Sequence, residues 1–208
     1  MKNYENYQLS IFDNDNDVDI FYMVHFKEIK NIFNKCFPCF LSKNFFGSYS
    51  KFIRYYFLLS NDKVIAFAKV DYTRKYVYSD KSLDTYTLVD KNLENYKFIY
   101  PSLESLCRDN DNKYKGIGSY LLKKISEDVG KSYNYLILVP ESLKFKDISS
   151  QINCGIIEGY KNSQTELIKY YKKNGFKILD GYYDLDKCID ENNKIKYLYL
   201  NVMGKKLR

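Results

Sequence analysis

A chain of 208 residues suits one large domain or two small ones, and a hydrophobic fraction of 45% supplies a core. No run of about 18 apolar residues occurs, so no membrane-spanning helix is expected, and the polar, Asn-rich stretch Met1–Gln8 does not read as a signal peptide. The net charge of +7 serves either solubility or an anionic partner. The lysines are spread along the chain, with no dense basic run except the tail Lys205-Lys206-Leu207-Arg208, so nucleic acid is not an expected partner. Five cysteines at 36, 39, 107, 154 and 188 are odd in number and irregular in spacing. That pattern argues against a disulfide framework and for a reducing, cytoplasmic setting. The 23 tyrosines and the missing tryptophan follow A/T-rich codon usage better than any base-stacking role.

Without internal repeats or a Pro/Gly/Ser linker, residues 1–208 are expected to form a single domain, and the alternation of elements predicts an α/β fold. Asp13-Asn14-Asp15-Asn16-Asp17 is half a calcium loop without its central Gly and distal Glu, and reads as a polar turn. Asp19–Val24 is a candidate first strand. Lys27–Cys36 has helical spacing at Ile29, Ile32, Phe33 and Cys36, and Pro38 stops it. Ser42–Ile53 is a candidate second helix. Tyr55–Leu59 and Val64–Tyr72 form a predicted hairpin across Asn61-Asp62. Arg74–Lys97 is polar and irregular, an apparent insertion, before a strand over Phe98–Cys107.

The helix predicted over Ile117–Val129 presents Ile117, Leu121, Leu122, Ile125 and Val129 on one face and closes at Gly130. Tyr135–Val139 is nearly all apolar, as suits the centre of a sheet, and Pro140 ends it. A long connection, Glu141–Asn162, leads to a capping box with Ser163 as N-cap and Glu166 reaching back. The helix Thr165–Lys173 then runs to Asn174-Gly175, a left-handed cap, and Phe176–Leu179 and Tyr197–Val202 are the closing strands.

The segment Lys113-Tyr114-Lys115-Gly116-Ile117-Gly118-Ser119 carries the strongest chemical signal. Glycines where a strand turns into a helix let a ligand approach the backbone and leave first-turn N–H groups exposed. With the helix dipole and two lysines, this is an anion site suited to a pyrophosphate. The plainer reading is a Gly-opened helix with solvated lysines.

Taken with Tyr171-Lys172-Lys173-Asn174-Gly175-Phe176 downstream, the order of motifs resembles the GCN5-related N-acetyltransferase (GNAT) family. Lys113 to Gly118 looks like that family's Gln/Arg-x-x-Gly-x-Gly/Ala loop, and Leu167–Leu179 like its final helix and strand. The resemblance covers roughly Phe98–Leu179. It implies a mixed, mostly antiparallel sheet with flanking helices and a splayed parallel strand pair, here Phe98–Cys107 and Tyr135–Val139. It also implies acetyl-CoA as co-substrate and an amine acceptor, with the chain a monomer or homodimer.

On that resemblance the pyrophosphate takes N–H groups from Tyr114 to Gly118, with Lys113, Lys115 and Ser119 beside it. The Leu106 N–H polarises the thioester carbonyl. Tyr171, four residues before Gly175, is the general acid for the departing thiolate, or else a core aromatic on the face of Leu167. Tyr170 is expected to face elsewhere around the helix. Glu104, sharing a strand face with Ser102, is the candidate base, directly or through water, or else a solvated strand residue.

Three positions depart from the family pattern. Lys113 replaces Gln or Arg and lacks the planar fork. Gln164 stands where an Asn often contacts the cofactor. Arg108 takes a usually apolar place, to pair locally or to reach a phosphate.

The implied reaction is acetyl transfer to a primary amine, foremost a small molecule such as a polyamine or amino sugar. A protein N-terminus or lysine is the second choice, and a non-catalytic CoA-binding module the third. The acceptor pocket would be framed by the two insertions and the first two helices. Cys36-Phe37-Pro38-Cys39 follows a helix and has no second pair, so it suits neither a redox nor a zinc site. His25 is the only histidine, and it is expected to be a packing residue.

Overall fold

A computed structural model of the chain describes residues 6–13, 15–36, 52–72, 75–78, 97–111, 114–140, 152–153, 157–189 and 195–208. In chain order the elements are β1 (Tyr7–Phe12), α1 (Asp15–Val24), α2 (Phe26–Cys36), β2 (Ile53–Ser60), β3 (Lys63–Asp71), β4 (Lys75–Tyr78), β5 (Lys97–Ile99) and β6 (Ser102–Arg108). There follow α3 (Ile117–Val129), β7 (Tyr135–Leu138), β8 (Ile152–Asn153), α4 (Ile157–Lys173), β9 (Lys177–Ile189) and β10 (Ile195–Lys206).

The strands form one sheet in the order β1-β2-β3-β6-β7-β10-β9-β4-β5, with β8 beside β9. Neighbours are antiparallel except β6 with β7 and the short β8 with β9. The mixed, mostly antiparallel α/β architecture expected from the motifs is therefore present.

The hairpin is as predicted. Asn61 and Asp62 both take positive φ, 49° and 57°, the left-handed pair that a two-residue turn between twisted strands requires. Tyr55, Phe57 and Leu59 of β2 face one side of the sheet, with Phe67 and Cys107, against Val18, Ile29, Ile32 and Phe33 of α1 and α2. Tyr56 and Leu58 face the other side, with Ala66, Ala68 and Val70, against Ile117, Leu121, Leu122 and Ile125 of α3. α3 follows its predicted span, and its whole predicted apolar face is buried. Gly130 closes it in right-handed geometry, at φ −62°.

Several expectations are corrected. Asp19–Val24 is not a strand but the second half of α1. Asp15 and Asp17 sit at the positive end of that helix, so the polar turn becomes a helix start. Val18 is buried, and Phe21, Tyr22 and His25 follow it at helical spacing on the same side, half-buried. β1 was not expected, and pairs with β2 from Tyr7↔Ser60 to Phe12↔Tyr55.

Ile53 opens β2 rather than closing a helix, and residues 42–51 of the second predicted helix lie outside the described residues. Within the supposed insertion, Lys75–Tyr78 pairs with both β5 and β9; residues 79–96 lie outside the description. The strand expected over Phe98–Cys107 is two strands, because Pro101 interrupts the ladder: Phe98 pairs with Tyr76 of β4, and β6 starts at Ser102.

α4 begins at Ile157, so Ser163, Gln164 and Glu166 lie inside a helix and not at its start. Glu166 accepts a hydrogen bond from Lys169 at 2.7 Å, the pairing expected three residues apart on a helix surface. The last strands are longer than predicted, at 13 residues for β9 and 12 for β10.

Candidate functional site

β6 and β7 run parallel but pair only at Ser102↔Ile137 and Leu103↔Leu138. Beyond that point β6 continues to Arg108, while β7 ends at Leu138. The gap between them is the splay that the motifs predicted, shifted to the second half of the expected strand.

Backbone geometry aims donors into it. The Asp109 N–H bonds the Ile65 carbonyl at 2.7 Å, and Cys107 is paired with Phe67. Hydrogen-bonding direction alternates along an antiparallel strand, so Asp109 and Cys107 face β3, and the N–H groups of Leu106 and Arg108 point toward the splay.

A bulge adjusts the side chains. The register shifts between Lys69 and Val70, leaving Glu104 as the extra residue of β6. Leu103 and Leu106 both join the core on the α3 side, which strict alternation would forbid. Glu104 and Ser105 are thereby turned with Cys107 toward the α2 side, and Glu104 is half-buried. Ser105 is buried, and its hydroxyl has no hydrogen-bond partner among the described residues. The Lys35–Asp109 ion pair, at 3.1 Å, ties the end of α2 to the end of β6.

α3 opens beside the C-terminal end of β6. Gly116 is its N-cap at φ 95°, a left-handed conformation that disfavours any side chain, and no side chain caps the helix. The helical ladder starts with the Tyr120 N–H on the Gly116 carbonyl at 3.1 Å. The N–H groups of Ile117, Gly118 and Ser119 therefore precede it, as first-turn donors without intrahelical acceptors. This geometry fits a phosphate.

One expected donor drops out: the Tyr114 N–H is committed to the Asp111 carbonyl at 3.0 Å. Lys115 is exposed; Lys113 lies outside the described residues, as does the side chain of Gln164. Gln164 is set within α4, so its backbone belongs to the helix. Arg108 is exposed, donates to the Asp109 carbonyl at 3.2 Å, and brings its Cδ to 3.5 Å from where a Gly118 Cβ would lie.

α4 delivers two tyrosines to this region. The Tyr171 ring packs edge-on to Tyr170 and Phe176, with centroids 5.1 and 5.7 Å away. Its hydroxyl is pushed above the ordinary tyrosine range, first by burial and then by Tyr170 and Cys107. It is therefore protonated at neutral pH, the state an acid needs. Tyr171 packs against the core on the α3 side of the sheet, the side that Leu106 also joins.

Tyr170 points away from Tyr171 around the helix, as the sequence suggested, but not into solvent. Its hydroxyl reaches α3 and bonds Ser119. The sequence signal for this was the doubled tyrosine itself, but only the packing of α4 on α3 shows where the first one points.

The half-buried Cys36 makes its thiol contact with Cys107. His25 packs its ring on Phe21 at 4.5 Å. No group of three or more His, Cys, Asp or Glu that could hold a metal occurs among the described residues. No helix among them is long and apolar enough to cross a membrane.

The sequence matches no protein-family profile and no curated protein. The fold does match solved structures. An aminoglycoside 6'-N-acetyltransferase from Enterococcus faecium superposes with a TM-score of 0.52 at 13% identity, over 97% of each chain. Tetrahymena GCN5 gives 0.50 at 16% identity, over 97% of this chain and 96% of that one. A GNAT-family acetyltransferase from Elizabethkingia anophelis with acetyl-CoA bound gives 0.50 at 14%, over 97% and 99%. The chain thus has the GNAT fold along nearly its whole length.

Proposed function

We propose that this protein is an acetyl-CoA-dependent N-acetyltransferase that acts on a primary amine. The observation that carries the reading is the continuity of two donor sets. The Leu106 N–H points toward the splay between β6 and β7, and the uncapped first turn of α3 opens beside the end of the same strand. One set suits an acyl oxygen, the other a pyrophosphate, as an extended thioester cofactor requires.

In the proposed reaction the acceptor nitrogen, once deprotonated, attacks the thioester carbonyl. The developing oxyanion is held by the Leu106 N–H. Glu104, on the α2 side of the bulge, takes the amine proton directly or through water. As the carbon–sulfur bond breaks, Tyr171 gives its proton to the thiolate, so the products are the acetylated amine and CoA.

For the acceptor we favour a small primary amine such as a polyamine or amino sugar. The aminoglycoside acetyltransferase with the same fold supports that class. The test is thiol release from acetyl-CoA in the presence of polyamines and amino sugars, paired with calorimetry of acetyl-CoA binding. Saturable CoA release with at least one amine is expected. Absence of acetyl-CoA binding at millimolar concentration rejects the reading.

A further inference from the structure

We propose that Tyr170 is a cofactor-binding residue that gives a hydrogen bond to the phosphate arm of acetyl-CoA, so that the two adjacent tyrosines of α4 divide the cofactor between them. Tyr171 serves the thioester end and Tyr170 the phosphate end. The proposal rests on the acetyl-CoA reading and adds a residue that the sequence motif passes over.

The geometry is specific to the hydroxyl and not to the ring. The Tyr170 Oη lies 3.0 Å from where a Cβ on Gly118 would stand. That is tighter than nearly all real Cβ contacts, so a side chain here would press on the hydroxyl and the glycine leaves it room. The Arg108 side chain comes to the same point from the end of β6, at 3.5 Å. Ser119, in the first turn of α3, hydrogen-bonds the hydroxyl.

Three side chains from three elements therefore converge on one residue of a helix start whose N–H groups have no intrahelical acceptor. A tyrosine that only filled the core would need none of these neighbours. The α4 backbone around it is also fixed: the Asn174 side-chain amide donates to the Tyr170 carbonyl at 2.9 Å.

The proton inventory suits a donor. Burial, the largest influence, raises the Tyr170 hydroxyl above its ordinary value, and the Ser119 bond and the Arg108 charge offset this only partly. The group is a neutral phenol at neutral pH. When Ser119 turns to donate to the phenol oxygen, the Tyr170 proton is left for a phosphate oxygen, beside the Arg108 cation and the N–H groups of Ile117 to Ser119. A hydrogen bond to a charged group of this kind is worth about ten-fold in affinity.

The experiment compares wild type with Tyr170→Phe, on acetyl-CoA and on S-acetylpantetheine, which has the thioester but no phosphate. Calorimetry should show Tyr170→Phe binding acetyl-CoA about ten-fold more weakly. KM for acetyl-CoA should rise to match while turnover at saturation stays within about two-fold, and KM for S-acetylpantetheine should not change. Gly118→Ala, whose methyl would push the hydroxyl by a few tenths of an ångström, should show a smaller loss with the same selectivity and serves if Tyr170→Phe folds poorly.

Equal losses on both thioesters, or no loss on either, overturn the inference. If the wild-type protein does not bind acetyl-CoA, the acetyltransferase reading itself fails. If it binds and Tyr170→Phe binds equally, only the role of Tyr170 falls.

Discussion

Tyr171 and Tyr170 are consecutive, share a helix, and have raised hydroxyl pKa values, yet their neighbours differ. Tyr171 packs on Phe176, whereas the Tyr170 hydroxyl stands by Gly118, Ser119 and Arg108. Burial, Tyr170 and Cys107 all favour the protonated form of Tyr171, so its useful state is the neutral acid. If it protonates the departing thiolate, removing its hydroxyl should act on the chemical step and not on binding. Tyr171→Phe is expected to lower kcat about 100-fold with KM for acetyl-CoA nearly unchanged, measured by steady-state thiol release. A kcat within two-fold of wild type would return Tyr171 to the role of a core aromatic. The motif located Tyr171, because its distance from Gly175 is a property of the sequence. It could not locate the Tyr170 hydroxyl, whose place depends on how α4 lies across α3. The Tyr114 N–H was misjudged for a related reason, since a local turn to Asp111 competes for it.

At the scale of elements, α4 shows how local signals can be right about an end and wrong about a start. Asn174-Gly175 was read as a left-handed cap, and Gly175 has φ 88°. The Gly175 N–H bonds the Lys172 carbonyl at 3.0 Å, and the Phe176 N–H bonds the Tyr171 carbonyl at 3.1 Å, which is the paired closure of a glycine-ended helix. A Cβ at Gly175 would find only ordinary contact with Lys205, at 3.5 Å, so the cost of a side chain there comes from the backbone conformation. Gly175→Ala should therefore destabilise the fold by about 1 kcal/mol and lower Tm by about 2–4 °C in a thermal melt. An unchanged Tm would mean that the turn relaxes without loss. The capping box at Ser163 failed because its residue pattern also occurs inside helices, and Glu166 finds Lys169 one turn on instead. Asp19–Val24 failed because a short apolar run does not by itself separate strand from helix. The buried faces of α2 and α3 were legible because each spans three turns with a consistent period.

At the scale of the whole molecule, one charged network ties the edge of the sheet to the far end of α3, away from the loop. Arg54 of β2 grips both carboxylate oxygens of Asp13, just past β1, and reaches Asp128 of α3 at 2.8 Å. The Tyr56 hydroxyl donates to the same Asp128 oxygen at 2.9 Å, and Lys131 donates to the other at 3.0 Å. The Tyr72 ring lies 5.3 Å from the guanidinium, and a cavity of about 330 Å³ opens beside the group. Burial alone would raise the Asp128 carboxyl, but the hydrogen bonds from Lys131, Tyr56 and Arg54 outweigh it and hold the group below the usual carboxylate range. A folded-state value below the unfolded value of about 3.9 means that the folded state binds this proton less readily. The stabilisation is then fully present above about pH 4–5 and is lost as pH falls through the folded-state value. Asp128→Asn keeps the shape and can still accept from Tyr56, but loses the charge that holds Arg54 and Lys131. It should cost about 2 kcal/mol at pH 7, read from urea midpoints at constant m. At pH 3, below the unfolded value of about 3.9, the gap between variant and wild type should shrink, because the unfolded wild-type chain gains a proton there that the folded state binds less readily. A gap that stays constant from pH 7 to pH 3 would show that shape, and not charge, makes Asp128 the tie between sheet edge and helix.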